Sequence, residues 1–145
     1  MIWNKSFTLS DLKKVTSGFN HLANHIGIEL LELGDDFLKA RMPVDERTKM
    51  PLGLLHGGAS CVLAETLGSY ASTLVIDQEN ERMVGLEINA NHLKSATSGF
   101  VVGTARPIHL GRGTHVWDIR IEAEETGTLI CVSRLTVAIL PKSRK

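Results

Sequence analysis

The most regular pattern in the chain lies near its C-terminus, where Trp117, Ile119, Ile121 and Ala123 alternate with Asp118, Arg120, Glu122 and Glu124. A period of two puts successive side chains on opposite faces of an extended strand, so this segment predicts a strand with one buried and one wet face. Apolar-rich runs over 82–93, 99–110, 114–124 and 128–140 predict four strands, separated by the turn formers Ser98-Gly99, Gly111-Arg112-Gly113 and Thr126-Gly127. Short turns favour antiparallel pairing, because parallel neighbours need long crossovers. Two earlier runs, 26–33 and 37–44, flank Gly34-Asp35-Asp36 and predict a hairpin. Ahead of them, Thr8 offers a hydroxyl cap with Asp11 three positions on. Leu9, Leu12 and Val15 then recur near helical period until Gly18, which predicts a short helix.

Between the hairpin and the last four strands, residues 45–55 contain Pro51 and Gly53 and predict a loop. The low-charge stretch from Leu54 to Ile76 approaches membrane-spanning length. Its small residues, hydroxyls and single glutamate fit a buried helix better. The resulting order predicts an α+β fold, a long central helix wrapped by a curved antiparallel sheet of about six strands, with a short N-terminal helix. At 145 residues one self-sufficient core is feasible, and residues 1–145 read as a single domain. A helix apolar on nearly all sides needs cover all round, and one sheet covers one side. The uncovered side, holding Glu65, predicts a subunit interface and at least a homodimer.

Sixteen basic against sixteen acidic residues leave no net charge, which argues against nucleic acid or an anionic membrane as partner. Cys61 and Cys131 fall in apolar segments without metal-ligand or redox spacing and read as reduced packing residues. The N-terminal residues lack the pattern of a secretory signal, so a cytoplasmic location is expected. The basic tail Lys142-Ser143-Arg144-Lys145 reads as a frayed, solvated end.

The segment Gly53-Leu54-Leu55-His56-Gly57-Gly58-Ala59-Ser60 leads into the long helix. The first amides of a helix lack intrahelical acceptors, and with the positive end of the dipole they suit an oxyanion, a phosphate or a polarised carbonyl. Gly57 and Gly58 permit close approach to that backbone, although relief of crowding against the sheet also explains them. Glu65 is the sole acid between Leu54 and Ile76. Burying a carboxylate costs several kcal/mol unless it is paired or protonated, so Glu65 is a site candidate, the alternative being a structural acid satisfied by arginine or backbone amides. Ser69, four residues on, shares its face and could orient it or hold a water. His56 is either a hydrogen-bonding partner of the bound group or a histidine that fixes the loop. His21 and His25 have helical metal-ligand spacing but no third ligand, and read as solvated histidines beside the first strand, with no metal expected. Nucleophile elbow, phosphate-binding loop, dinucleotide fingerprint and paired Cys-x-x-Cys are all missing from the sequence.

Gly57 and Glu65 are eight residues apart, about 12 Å along a helix and on different faces. One helix cannot set both against one carbonyl, so a site using both must take its glutamate from a neighbouring subunit.

The His56-Gly57-Gly58 segment, Ala64-Glu65, and Gly85-Leu86-Glu87-Ile88-Asn89-Ala90-Asn91-His92 resemble the PaaI-like hotdog thioesterases over nearly the whole chain. The likeness is nearest to bacterial enzymes that hydrolyse 1,4-dihydroxy-2-naphthoyl-CoA and to related aryl-CoA and proofreading thioesterases. It implies an acyl-CoA thioester hydrolase, aryl-CoA favoured, with Glu65 as the catalytic carboxylate and the Gly57 amide polarising the carbonyl. His56 and Ser69 would support them. It also implies His92 near the pantetheine arm or acyl group, Gly85 beside the substrate, and Lys94, Ser95 and Arg112 gripping nucleotide phosphates. Relatives often carry glutamine where this chain has Met50, which keeps the length but loses an amide donor and acceptor. No cofactor is implied, coenzyme A being part of the substrate, and the expected assembly is a homodimer or homotetramer with shared sites. Rival readings are a hotdog dehydratase or hydratase, in which a loop histidine pairs with a helix acid, and a non-enzymatic acyl-CoA-binding protein.

Overall fold

The computed structural model describes residues 1–143, so Arg144 and Lys145 of the basic tail lie outside the described residues. Helix α1 spans Leu9–Ser17 and starts where the capping pattern puts it. The Thr8 hydroxyl accepts from the Asp11 N–H at 3.2 Å while the Asp11 carboxylate accepts from the Thr8 N–H at 2.9 Å. A short helix not expected from the sequence, α2 (Leu22–His25), follows. Strand β1 begins only at Glu29 and runs to Leu33, three residues later than predicted. The reason is Gly27, whose φ of 78° turns the chain while Ile26 and Ile28 on either side enter the core. Apolar residues that looked like the start of a strand belong to that turn.

Strand β2 (Leu38–Pro43) pairs antiparallel with β1 across the predicted hairpin, and the long helix α3 covers Gly57–Val75. Strands β3 (Glu81–His92), β4 (Phe100–Leu110), β5 (Thr114–Ala123) and β6 (Leu129–Pro141) complete one antiparallel sheet in the order β1-β2-β4-β5-β6-β3. This is the α+β hotdog arrangement that the pattern and the resemblance implied. The short connection between β3 and β4 is not a hairpin, however. β3 crosses to the far edge and pairs with β6, from Glu81↔Pro141 to His92↔Cys131. Its other edge is unpaired among the described residues, and it exposes Val84 and Leu86. Nor is the start of the basic tail frayed, since the Lys142 N–H donates to the Asn80 carbonyl at 2.8 Å.

Helix α3 buries Ser60, Leu63, Ala64, Leu67, Gly68, Ala71, Ser72 and Leu74, a stripe at helical spacing that faces the sheet. Trp117, Ile119 and Ile121 of β5 meet it from the other side, all fully buried. The side of α3 that the sheet leaves uncovered carries Val62, Thr66, Ser69 and Tyr70, all half-buried, and Glu65, which is exposed, as the sequence led one to expect. No helix among the described residues is long and apolar enough to cross a membrane.

One polar cluster sits inside this core. The Trp117 indole N–H donates to Ser72 Oγ at 2.7 Å, and His115 Nδ1 lies 3.1 Å from the same oxygen. Trp3 stacks parallel to Trp117 with ring centroids 6.3 Å apart, and its own N–H donates to the Gly34 carbonyl at 2.6 Å. Burial holds the His115 imidazole below its ordinary value; nearby Glu81 opposes this and His109 reinforces it. A histidine whose folded value is depressed resists protonation that the unfolded chain accepts. Stability is therefore intact above pH 6.5, the ordinary histidine value, and declines as pH falls below it. Thermal melts from pH 7.5 to 5.5 are expected to show that decline, and His115→Gln is expected to flatten it. A variant with the same pH slope would remove His115 as its source.

Candidate active site

The loop ahead of α3 is tied down before the helix begins. The Thr48 hydroxyl donates to the Pro43 carbonyl at 2.7 Å and accepts from the Asp45 N–H at 3.1 Å. The His56 N–H donates to the Thr48 carbonyl, and the Leu55 N–H to the Ala96 carbonyl, both at 2.8 Å. His56 then caps the helix, its Nδ1 accepting from the Gly58 N–H at 2.8 Å, while its carbonyl takes the N–H groups of Ala59 and Ser60. His56 Nδ1 thus fixes the entry to the helix. The Gly57 N–H is left without an acceptor among the described residues, as the first turn of a helix requires.

Gly57 opens onto a cleft of about 360 Å³ that also contains Met50, Ser60, His92, Lys94 and Ser95. Five residues singled out from the sequence thus converge at the start of one helix. A Cβ at position 57 would lie 2.8 Å from His92 Nε2, so only glycine lets the imidazole approach that backbone. Met50 Sδ accepts from the Leu52 N–H at 3.2 Å, which keeps its side chain at the loop.

Glu65 is elsewhere. It lies in a second pocket of about 280 Å³ together with His21, Leu22, Ser69 and Tyr70. Oε1 is 3.0 Å from where a Cβ on Gly85 would stand, at the bulge in β3 between Gly85 and Glu87, so Gly85 makes room for the carboxylate. The argument that Glu65 is an acid buried within its own protomer is corrected: the side chain is exposed, at the flank of α3 beside the edge strand β3. Its nearness, after burial, raises the Cys61 thiol above its ordinary value, and burial pushes the Cys131 thiol up to about 11. Both cysteines are free and stay protonated at neutral pH, which makes them poor nucleophiles.

Arg112 does not join Lys94 and Ser95 within one protomer. It sits on the turn preceding Thr114, which pairs with Ala138, whereas Lys94 follows His92, which pairs with Cys131. The two ends of the sheet are on the order of 25 Å apart along the strands. His21 also differs from expectation. It is half-buried and hydrogen-bonded, with Nε2 2.6 Å from the Thr16 carbonyl oxygen, and it lines the same open pocket as Glu65. Tyr70 beside it was not singled out from the sequence; its only signal was its position next to Ser69. Among the described residues no group of three His, Cys, Asp or Glu side chains converges to hold a metal.

A helix N-terminus with an open amide in one cleft and a lone carboxylate over a glycine bulge in another, on a six-stranded antiparallel sheet, defines a class. The chain belongs to the thioesterase superfamily, whose family model matches residues 52–130. Among individual proteins it is 51% identical over 140 residues to the 1,4-dihydroxy-2-naphthoyl-CoA hydrolase of Escherichia coli, covering 97% of this chain and 100% of that one. A solved thioesterase of Pseudomonas aeruginosa superposes with a TM-score of 0.92 at 48% identity, covering 98% of this chain and 100% of that chain. A thioesterase of Staphylococcus aureus, 44% identical with a TM-score of 0.80, covers 84% of this chain and 100% of its own. It was solved as a glutamine-to-alanine and as a glutamate-to-alanine variant, the two substituted positions fifteen residues apart. Met50 and Glu65 are separated by the same fifteen residues.

Proposed function

We propose that this thioesterase hydrolyses an aryl-CoA at a site assembled from two protomers, with the Gly57 amide of one and Glu65 of the other on opposite sides of the thioester. The observation that carries this is the separation of the two groups. They belong to one helix but open into different pockets, and each pocket holds half of what thioester hydrolysis needs. The unpaired β3 edge with Val84 and Leu86, beside the uncovered face of α3, is the surface on which a second copy supplies the missing half.

The chemistry follows from the parts. The Gly57 N–H and the helix dipole stabilise negative charge developing on the carbonyl oxygen. Glu65 either takes a proton from water as the resulting hydroxide adds to the carbonyl carbon, or adds directly to give an anhydride that water opens. Both routes expel the CoA thiolate, which takes up a proton, and leave the free acid. Lys94 and Ser95 line the same cleft as Gly57, and their ammonium and hydroxyl are the groups we assign to the phosphates of the CoA arm. Arg112 contributes to the same phosphates only from another subunit. The aryl preference draws on the apolar walls beside Glu65 and on the substrate named for the Escherichia coli relative. Thiol release followed colorimetrically across benzoyl-, naphthoyl-, short-chain and long-chain CoA esters tests the reading. The aryl esters are expected to have the highest kcat/KM, and a preference for long aliphatic chains would overturn it.

Met50 carries a separate prediction. The Staphylococcus spacing supports its alignment with a position at which relatives use glutamine, and a glutamine amide there could hydrogen-bond the thioester or the attacking water. Met50→Gln is expected to raise kcat/KM on an aryl-CoA by roughly three- to tenfold, the value of one added hydrogen bond. Unchanged kinetics would dismiss that role for the position.

A further inference from the structure

The cleft at the start of α3 holds a polar group that nothing in the protomer satisfies. Ser60 is 2% exposed. The other buried hydroxyls among the described residues are all bonded, Thr48 to the Pro43 carbonyl, Ser72 to Trp117 and Ser133 to the Asn89 carbonyl, whereas that of Ser60 has no partner. Nor does it turn back onto its own helix, as Thr73 does by donating to the Ser69 carbonyl. No fully enclosed side-chain nitrogen or oxygen among the described residues lacks a partner. The trace of surface that Ser60 keeps therefore belongs to its hydroxyl, which opens into the cleft it shares with Gly57. A buried hydroxyl left unpaired costs folding energy, and a ligand that pairs it recovers that cost. Gly57 and Ser60 are three residues apart, about 4.5 Å along the axis. The first N–H groups of a helix point out of its end, so an oxygen held by the Gly57 amide lies beyond the reach of the Ser60 hydroxyl. The two engage different groups of one ligand.

We propose that the Ser60 hydroxyl hydrogen-bonds the first amide of the pantetheine arm, which makes Ser60 a specificity residue for thioesters of amide-bearing thiols. This rests on the reading that the thioester carbonyl sits at the Gly57 N–H. In coenzyme A two methylenes join the sulfur to that amide, so the arm presents a short apolar link and then a neutral group that both donates and accepts. A serine hydroxyl does both as well. Leu54, Leu55, Leu93 and Ile130 supply apolar wall for the link. A charged group against such walls and a neutral hydroxyl would be buried at a loss, whereas an amide exchanges one hydrogen bond to water for one to Ser60. A thiol with methylenes in place of the amide leaves the hydroxyl dry, and a site built to bond a polar group rejects the analogue that lacks it.

The experiment measures kcat and KM of the wild type, Ser60→Ala and Ser60→Cys on benzoyl-CoA, S-benzoyl-N-acetylcysteamine and S-pentyl thiobenzoate, the last replacing the amide by methylenes at equal chain length. Ser60→Ala is expected to lower kcat/KM on the two amide-bearing esters by roughly tenfold, chiefly through KM, and to leave the pentyl ester unchanged. Ser60→Cys, whose thiol fills the same space but donates weakly, is expected to behave like Ser60→Ala. Because the hydroxyl is unpaired in the free protein, Ser60→Ala is expected to melt no lower than the wild type. Unchanged kinetics on benzoyl-CoA in either variant overturns the proposal, and so does an equal loss on the pentyl ester, which would put the hydroxyl at the reacting atoms. A Ser60→Ala protein that melts lower or fails to fold also overturns it, by showing a structural hydroxyl. In each of these cases hydrolysis of benzoyl-CoA by the wild type leaves the aryl-CoA reading standing, whereas a wild type inactive on every thioester sinks both.

Discussion

Glu65→Gln is expected to fold as the wild type does and to lose thioesterase turnover by roughly 10²- to 10⁴-fold, the range in which a positioned acid–base group acts. Glutamine has the length and shape of glutamate but can neither take a proton from water nor attack a carbonyl at neutral pH. The fold is spared because Glu65 is exposed within its protomer and belongs to none of the ion pairs among the described residues. Such substitutions usually change stability by no more than about 0.5 kcal/mol. The measurement is a thermal melt beside a thiol-release assay at saturating aryl-CoA. Near-normal turnover in a protein with a normal melt would take Glu65 out of the mechanism.

The second large effect is a recovery. Gly57→Val puts a branched side chain where His92 Nε2 stands 2.8 Å from the would-be Cβ, displacing both the imidazole and the carbonyl that the open amide would hold. Loss of one such donor costs on the order of 10²- to 10³-fold in kcat. Each homogeneous variant, Gly57→Val or Glu65→Gln, is therefore expected to be nearly inactive. Mixed one to one and reassembled at random, half of the dimers are heterodimers, and in each of these one of two sites unites an intact Gly57 with an intact Glu65. Activity is then expected to return to about a quarter of wild type. A site contained within one protomer would recover nothing on mixing, and that result would end the shared-site reading.

The strands were legible wherever one residue in two faces water, as in β5, since a half-buried strand writes its period into the chain. The pairing of β3 was less so. Its length and apolar content predicted a strand, but nothing local records which neighbour it meets, and a short connection to β4 pointed to the wrong one. The start of β1 was misplaced for a related reason, because Ile26 and Ile28 are buried in a turn and burial alone does not distinguish a turn from a strand. At the site, residues contiguous in the chain were found readily. Gly57, His56 and Glu65 share one helix and its cap, so helical geometry alone separated the amide from the carboxylate. The contact of His21 with Thr16 was not legible, because it joins residues on either side of a turn that no local pattern records. Glu65 itself was identified through an argument about burial that its exposed position within one protomer does not meet.

The stacking of Trp3 on Trp117 has a practical consequence. These are the chain's two tryptophans, so all of its indole emission originates where the first residues dock onto the sheet. Quenching or a spectral shift on denaturation registers release of that corner, and coupled indole transitions in circular dichroism vanish with it. Neither signal looks directly at the start of α3, so optical unfolding curves and loss of turnover sample different parts of the molecule. Their coincidence would be a test of whether it unfolds as one unit.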